Sequence, residues 1–248
     1  MRILFIATAL IFPVIVTAQQ TKEYFYLYDS AWNSCKAENA KYMAFVKEVN
    51  DTTYRWNYYN YTGPIITVET YRDKDAKIPN GFFAWYDSNG IIDSSGYTVN
   101  GKKSGNWYTY SDTLSVIAGQ KWKEGKLIRM IDYTDGYKTT DDPNDSLRGD
   151  VAAHFEGGIN GWLQYLQKNH QFPLRAHSLS RYGKVIVDFI VDSTGKVTVA
   201  KLSRSVEFSI DQEAIRVISN SPGWTPAIHN GKKVNAYRRQ SINFGKRQ

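Results

Sequence analysis

Four histidines, one cysteine and a few neighbouring carboxylates are the residues of this 248-residue chain with the chemistry for metal binding or catalysis. His154, His170, His177 and His229 never fall at the His-x-x-x-His spacing that puts two ligands on one helix face, so they make no metal motif. Asp188 and Asp192 flank a strand end and read as solvated carboxylates rather than an acid–base pair. The run Asp141-Asp142-Pro143-Asn144-Asp145 lacks the alternating ligands and distal Glu of a calcium loop. Gly157-Gly158 is too short for a phosphate cradle and is expected to start a helix, and no Gly-x-Ser-x-Gly elbow occurs. Cys35, the sole cysteine, has no internal partner for a disulfide. It also has no nearby histidine or helix start to activate its thiol. The sequence therefore assigns no catalytic residue, no metal and no cofactor, and a binding protein is expected before an enzyme.

Binding chemistry is richer. Trp85, Trp107, Trp122, Tyr86, Tyr108 and Tyr110 cluster in one stretch and could form a stacking surface for a sugar or lipid. The alternative is that they only pack one face of a sheet, since large aromatics suit pleated, half-buried surfaces. Charge is divided unevenly. Residues 19–150 hold 16 Lys/Arg against 18 Asp/Glu, whereas residues 151–248 hold 14 against 6, within a net charge of +7. Such asymmetry is expected either to separate two domains with different partners or to be a basic face that only aids solubility. At the N-terminus, Arg2, an apolar run over residues 3–16 and Val16-Thr17-Ala18 form the pattern of a secretory signal peptide cut before Gln19. A retained anchor is the alternative, but the run is shorter than the ~20 residues that span a bilayer, and Pro13 interrupts it. Export makes nucleic acid a poor partner and leaves acidic peptides, headgroups or cell-wall polymer for the basic half.

These residues must be held by repeated hairpins. Gly81-Phe82-Phe83-Ala84-Trp85-Tyr86 returns 24 positions later as Gly105-Asn106-Trp107-Tyr108-Thr109-Tyr110, and Asn100-Gly101-Lys102 returns as Glu124-Gly125-Lys126. A period in the twenties implies stacked units that bury their apolar faces on their neighbours. Asn80-Gly81, Asn89-Gly90 and Asn100-Gly101 are expected to supply tight turns. Ahead of the repeats, Tyr24 to Tyr28 is an aromatic run, and Ala40, Tyr42, Ala44 and Val46 alternate as a strand. The Gly-x-Trp-x-x-Tyr core with its following Asn-Gly turn resembles the MORN-type repeat, which implies a scaffold or interaction surface over about residues 51–130.

Residues 158–169 carry a helical stripe at Ile159, Trp162, Leu163, Tyr165 and Leu166, ended by Phe172-Pro173. Val185, Val187, Phe189 and Val191 alternate as a strand, Asp192-Ser193-Thr194-Gly195 turns the chain, and Val197, Val199 and Leu202 return it. A second helix, capped by Ser209, is expected through Ile210, Ala214, Ile215, Val217 and Ile218, and a last strand over about residues 233–244. The result is a small α+β layer with an antiparallel sheet.

The ordered landmarks Phe155-Glu156-Gly157-Gly158, Phe172-Pro173, Gly183-Lys184-Val185, Asp192 to Val197, Ile210 to Ala214, Trp224-Thr225-Pro226, Gly231 to Val234 and Ile242-Asn243-Phe244 closely resemble the C-terminal domain of TonB. That resemblance implies a periplasmic module that binds a transporter peptide by strand addition. It places the receiving edge at Val234, Asn235, Ala236, Tyr237, Arg238, Arg239, Gln240, Ser241 and Ile242. Arg238 and Arg239 would then attract an acidic residue of the incoming strand. The chain departs from the family where Arg238-Arg239-Gln240-Ser241 replaces apolar residues and a proline. The membrane helix and the Pro- and Lys-rich spacer of TonB have no counterpart here either.

The expected organisation is a signal peptide over residues 1–18, a strand region over 19–50, hairpin repeats over 51–138, a linker over 139–150 and the α+β domain over 151–248. The expected function is that of an exported periplasmic or envelope protein, cut near Ala18 or else anchored at the inner membrane. Its partner is a peptide, by resemblance from an outer-membrane receptor. The alternative is an envelope scaffold that contacts cell wall or a second copy of the chain.

Overall fold

The computed structural model describes residues 22–133 and 151–245. The expected signal peptide and the linker over 139–150 lie outside the described residues. The N-terminal half is one meander of nine antiparallel strands in chain order. They are β1 (Glu23–Tyr28), β2 (Tyr42–Asn50), β3 (Thr53–Asn60), β4 (Ile65–Tyr71), β5 (Gly81–Tyr86), β6 (Ile92–Val99), β7 (Lys102–Tyr110), β8 (Val116–Lys123) and β9 (Lys126–Asp132). The 24-residue echo in the sequence has a direct counterpart. Asn100-Gly101 and Glu124-Gly125 both turn with positive φ at both residues, at 50° and 78° and at 50° and 83°. That is the two-residue geometry whose twist matches the flanking strands. Asn89-Gly90 turns by a different device, since the Asp87 carboxylate accepts from the N–H groups of Asn89 and Ile91 at 2.9 and 2.8 Å. Asn80-Gly81 makes no tight turn: Gly81 is the first residue of β5.

Alternation gives the sheet two aromatic faces with different fates. On one, Tyr26, Trp56 and Tyr58 stack at 5.5 and 5.8 Å, and Phe83, Trp85 and Trp107 continue the series at 6.1 and 5.8 Å. The other face carries Met43, Tyr59, Ile65, Ala84, Tyr86 and Ile92 into a core shared with the C-terminal half.

That half contains β10 (His154–Phe155), α1 (Gly158–Asn169), α2 (Leu174–Ser178), β11 (Gly183–Val191), β12 (Val197–Arg204), α3 (Phe208–Ser219), β13 (Trp224–Thr225), β14 (Ala227–His229), β15 (Lys232–Val234) and β16 (Ala236–Phe244). Its main sheet runs β12-β11-β16, and β10–β13 and β14–β15 form two small ladders. Val185, Val187, Phe189 and Val191 are buried, as their alternation requires. The helix α3 starts two residues earlier than the Ser209 cap implies. Glu207 is the N-cap, and its carboxylate accepts from the Ser209 N–H at 2.9 Å, satisfying a donor that the first turn leaves open. The last strand is also broken: Asn235 interrupts it, so Val234 ends β15 and Ala236 begins β16.

The two halves are joined through more than apolar contact. Phe208 at the start of α3 packs edge-on against Phe25 and Tyr59, with Phe45 at 5.2 Å. Tyr86 donates its hydroxyl to the Leu202 carbonyl at 2.9 Å, and the Ser205 hydroxyl accepts from the Ile65 N–H at 2.9 Å. Ser205 also donates its N–H to the Gly90 carbonyl at 2.8 Å. Gly90 has φ 75°, and an added Cβ would meet the Ser205 carbonyl oxygen and the Pro64 Cβ at 2.6 Å each. Gly90→Ala is therefore expected to lower folding stability by ~2–3 kcal/mol through backbone strain and overpacking. A thermal-unfolding midpoint equal to that of the unaltered chain would contradict this seating of the two halves.

Candidate binding edge and its supporting charges

β16 is the end strand of its sheet. It pairs antiparallel with β11 from Ala236 opposite Val191 to Phe244 opposite Gly183. Among the described residues no strand pairs with its other side. At the opposite end of the same sheet, β12 meets the N-terminal half through a bridge from Arg204 to Ile91 and the Ser205–Gly90 hydrogen bond. One end of the small sheet is thus partly capped from within the chain, while the β16 end carries its second row of N–H and C=O groups outward.

Nine residues assigned to the edge occupy three different settings. Val234 pairs with Ala227 in the β14–β15 hairpin. Asn235 lies between the strands and accepts from the Ser193 N–H at 3.0 Å, tying it to the β11–β12 turn. Ala236 to Ile242 lie on β16 itself. There, Ala236, Arg238, Gln240 and Ile242 share the buried face of the sheet with Phe244, and Tyr237, Arg239 and Ser241 point to the other face.

The two arginines differ accordingly. Arg239 is already engaged: its Nε and Nη2 donate to the Asp188 carboxylate at 2.6 and 3.1 Å, and Nη1 donates to the Leu114 carbonyl at 3.2 Å. Burial opposes the charge on this guanidinium. The Asp188 carboxylate outweighs that cost, and the net pKa moves upward. Asp188 is 3% exposed and also accepts from the Ser203 hydroxyl, so it is a buried partner rather than a solvated carboxylate. Its neighbours Ile186 and Ile190 make β11 apolar on both faces, which is the pattern of a strand covered from both sides. Arg238 stands on the buried face with its Nε shielded and without a hydrogen-bond partner.

A second buried ion pair lies nearer the helices. Glu207, wholly buried, accepts from Arg175 Nε at 2.6 Å, and Arg175 reaches across to the Tyr61 carbonyl of the N-terminal sheet.

The six aromatics expected to form one surface are divided between the two faces, with Tyr86, Tyr108 and Tyr110 turned toward the C-terminal half. Trp85 and Trp107 stand 5.8 Å apart, and Lys103 Nζ lies 4.2 Å from the Trp107 ring and 4.9 Å from that of Trp122. Trp107 lies flat over Gly96, where an added Cβ would come within 2.4 Å of the indole, and its Nε1 donates to the Tyr97 carbonyl. Tyr108 projects from the opposite face, toward the C-terminal sheet. Trp85 is 37% exposed and Trp107 only 7%, so much of this series is packing.

The remaining chemical candidates stay apart. His154, His170, His177 and His229 lie in β10, at the end of α1, in α2 and in β14. The Cys35 thiol is pushed up in pKa by partial burial and by the Asp29 carboxylate, the opposite of activation.

No curated protein and no solved structure matches the chain. Residues 168–245, which contain β11, β12, α3 and the edge strand β16, match the family model of the Gram-negative bacterial TonB protein C-terminal.

Proposed function

We propose that this is an exported envelope protein whose C-terminal domain captures an extended peptide on β16. The observation that carries the reading is the edge itself: a nine-residue strand, bonded along one side, in a domain that matches the TonB C-terminal model. An incoming strand gains main-chain hydrogen bonds from such an edge, and nearby side chains set a modest preference. The match to the TonB C-terminal model supports, as that peptide, the periplasmic tail of a TonB-dependent outer-membrane transporter. The hairpin sheet, with its MORN-like repeat, acts as a spacer or second contact surface, and no catalytic role is proposed.

Titration of the full chain with transporter-tail peptides, read by amide exchange, tests this. Slowed exchange of alternate amides along β16, with little change on β12, is the expected outcome. Peptide binding that leaves β16 exchange unchanged would refute strand addition.

One observation favours a second reading, an envelope scaffold without a transport role. The last strand of the hairpin sheet exposes Leu127, Ile128 and Met130 at 45%, 59% and 68%, an apolar edge suited to another chain. Salt-sensitive co-sedimentation with cell-wall polymer, combined with indifference to transporter peptides, would select this reading.

A further inference from the structure

The face of the C-terminal sheet turned toward the hairpin sheet encloses a cavity of about 240 Å³. Phe82, Tyr97, Tyr108 and Tyr110 line it from the hairpin side, and Val199 and Tyr237 from the other. Across its floor, three residues stand side by side on three strands. Lys201 is the register partner of Asp188, and Asp188 is the register partner of Arg239. Both Asp188 oxygens are taken, by the Arg239 fork and the Ser203 hydroxyl. The row therefore keeps one uncompensated positive charge, on Lys201, whose Nζ sits 5.4 Å from the Phe82 ring centroid.

Lys201 reaches this face because the backbone is bent to put it there. Ile190 pairs with Thr198, and Asp188 pairs with Lys201, so two residues, Val199 and Ala200, stand opposite Phe189 alone. Without that bulge Asp188 would pair with Ala200, and Lys201 would point to the helix side, since a one-residue slip reverses every side chain. The bulge holds Val199 at φ 51°, a conformation that a β-branched residue adopts at a cost. Strain of this kind is retained where the surrounding structure imposes it, and such positions cluster at ligand sites.

We propose that the cavity binds a single aromatic ring bearing a carboxylate, with the ring against Phe82 and the tyrosines and the carboxylate on Lys201. The volume suits one substituted ring: a 150 Å³ apolar cavity in another protein accepts benzene, and drug-sized ligands need more than 300 Å³. The charge follows from Lys201, the cation of the row that Asp188 leaves unpaired. Two sources supply this chemistry, a free aryl carboxylate and the C-terminal aromatic residue of a protein chain.

The test uses the full-length protein and isothermal titration with 3-phenylpropanoate and with a hexapeptide ending in Phe with a free carboxylate. The corresponding amides serve as controls. The carboxylates are expected to bind at least tenfold more tightly than their amides. Lys201→Met should abolish that preference, Lys201→Arg should keep it, and Tyr108→Ala should weaken both acid and amide. Preference for the free acid identifies a small molecule, and preference for the peptide identifies a chain terminus. Absence of binding by either carboxylate at millimolar concentration, equal binding of acid and amide, or an unchanged preference in Lys201→Met would overturn the assignment. If Lys201→Met fails to fold by circular dichroism, Lys201→Gln gives the same reading with the polar stem retained.

Discussion

Arg239→Ala is expected to lower folding stability by about 3 kcal/mol, the largest single loss among the edge residues. The cause is what remains behind. Asp188 is 3% exposed, and without the guanidinium its carboxylate keeps only neutral hydroxyl donors, from Ser203 and the adjacent Tyr237. Removing one member of a buried pair leaves an uncompensated charge, which costs ~3–5 kcal/mol. The lower end applies here because the Arg239 side chain keeps 31% of its surface in solvent. The double variant Asp188→Asn with Arg239→Met should recover most of the loss, since replacing both partners removes the stranded charge. Urea unfolding followed by tryptophan fluorescence reads both values. A loss below about 1 kcal/mol, in the range of exposed pairs, would mean that the hairpin sheet does not shield Asp188. The result also bears on recognition. An arginine spent on an internal carboxylate cannot serve as the cation that draws an acidic partner strand to β16.

The local elements were legible in the sequence, whereas their mutual packing was not. The 24-residue echo, the alternating Val185, Val187, Phe189 and Val191 and the stripe around Trp162 follow from periods of 2 and 3.6, which depend on neighbours in the chain. Position alone places Asp188 near a strand end and suggests a solvated carboxylate. Yet the run Val185-Ile186-Val187-Asp188-Phe189-Ile190-Val191 is apolar on both faces, and a carboxylate inside it must be paired. Its partner, 51 residues away, is set by the β11–β16 register, which no local pattern encodes. Tyr108 shows the same limit. Its alternation with Trp107 places the two on opposite faces, but only the seated C-terminal half makes one of those faces the wall of a cavity. The break at Asn235 is likewise tertiary, since its side chain is held by the turn at Ser193.

A pH-dependent stability centred on Asp211 is the other large effect. Asp211 lies on the stripe of α3 that includes Ile210, Ala214 and Val217, and it is fully buried. Burial lifts its pKa from 3.8 to about 7; the nearby Glu207 adds to the rise, and hydrogen bonds from the Ser205 hydroxyl and the Val206 N–H oppose it. Between these two values the unfolded chain has lost the proton and the folded chain has kept it. Stability is therefore fully present below about pH 4 and falls as pH rises toward 7, by a total on the order of 4 kcal/mol. Asp211→Asn should remove this slope and make the chain more stable than the unaltered one at pH 8, because the amide stays neutral. Ser205 also receives the Ile65 N–H, and the buried Tyr59 hydroxyl stands beside the carboxyl. Ionisation therefore strains the seam between the two halves rather than a remote part of the core. Exchange of the Ile65 amide should quicken from pH 5 to pH 8 beyond the intrinsic chemical increase, and it should not do so in Asp211→Asn. An Asp211→Asn chain that retains the full pH slope in urea unfolding would place the titrating group elsewhere.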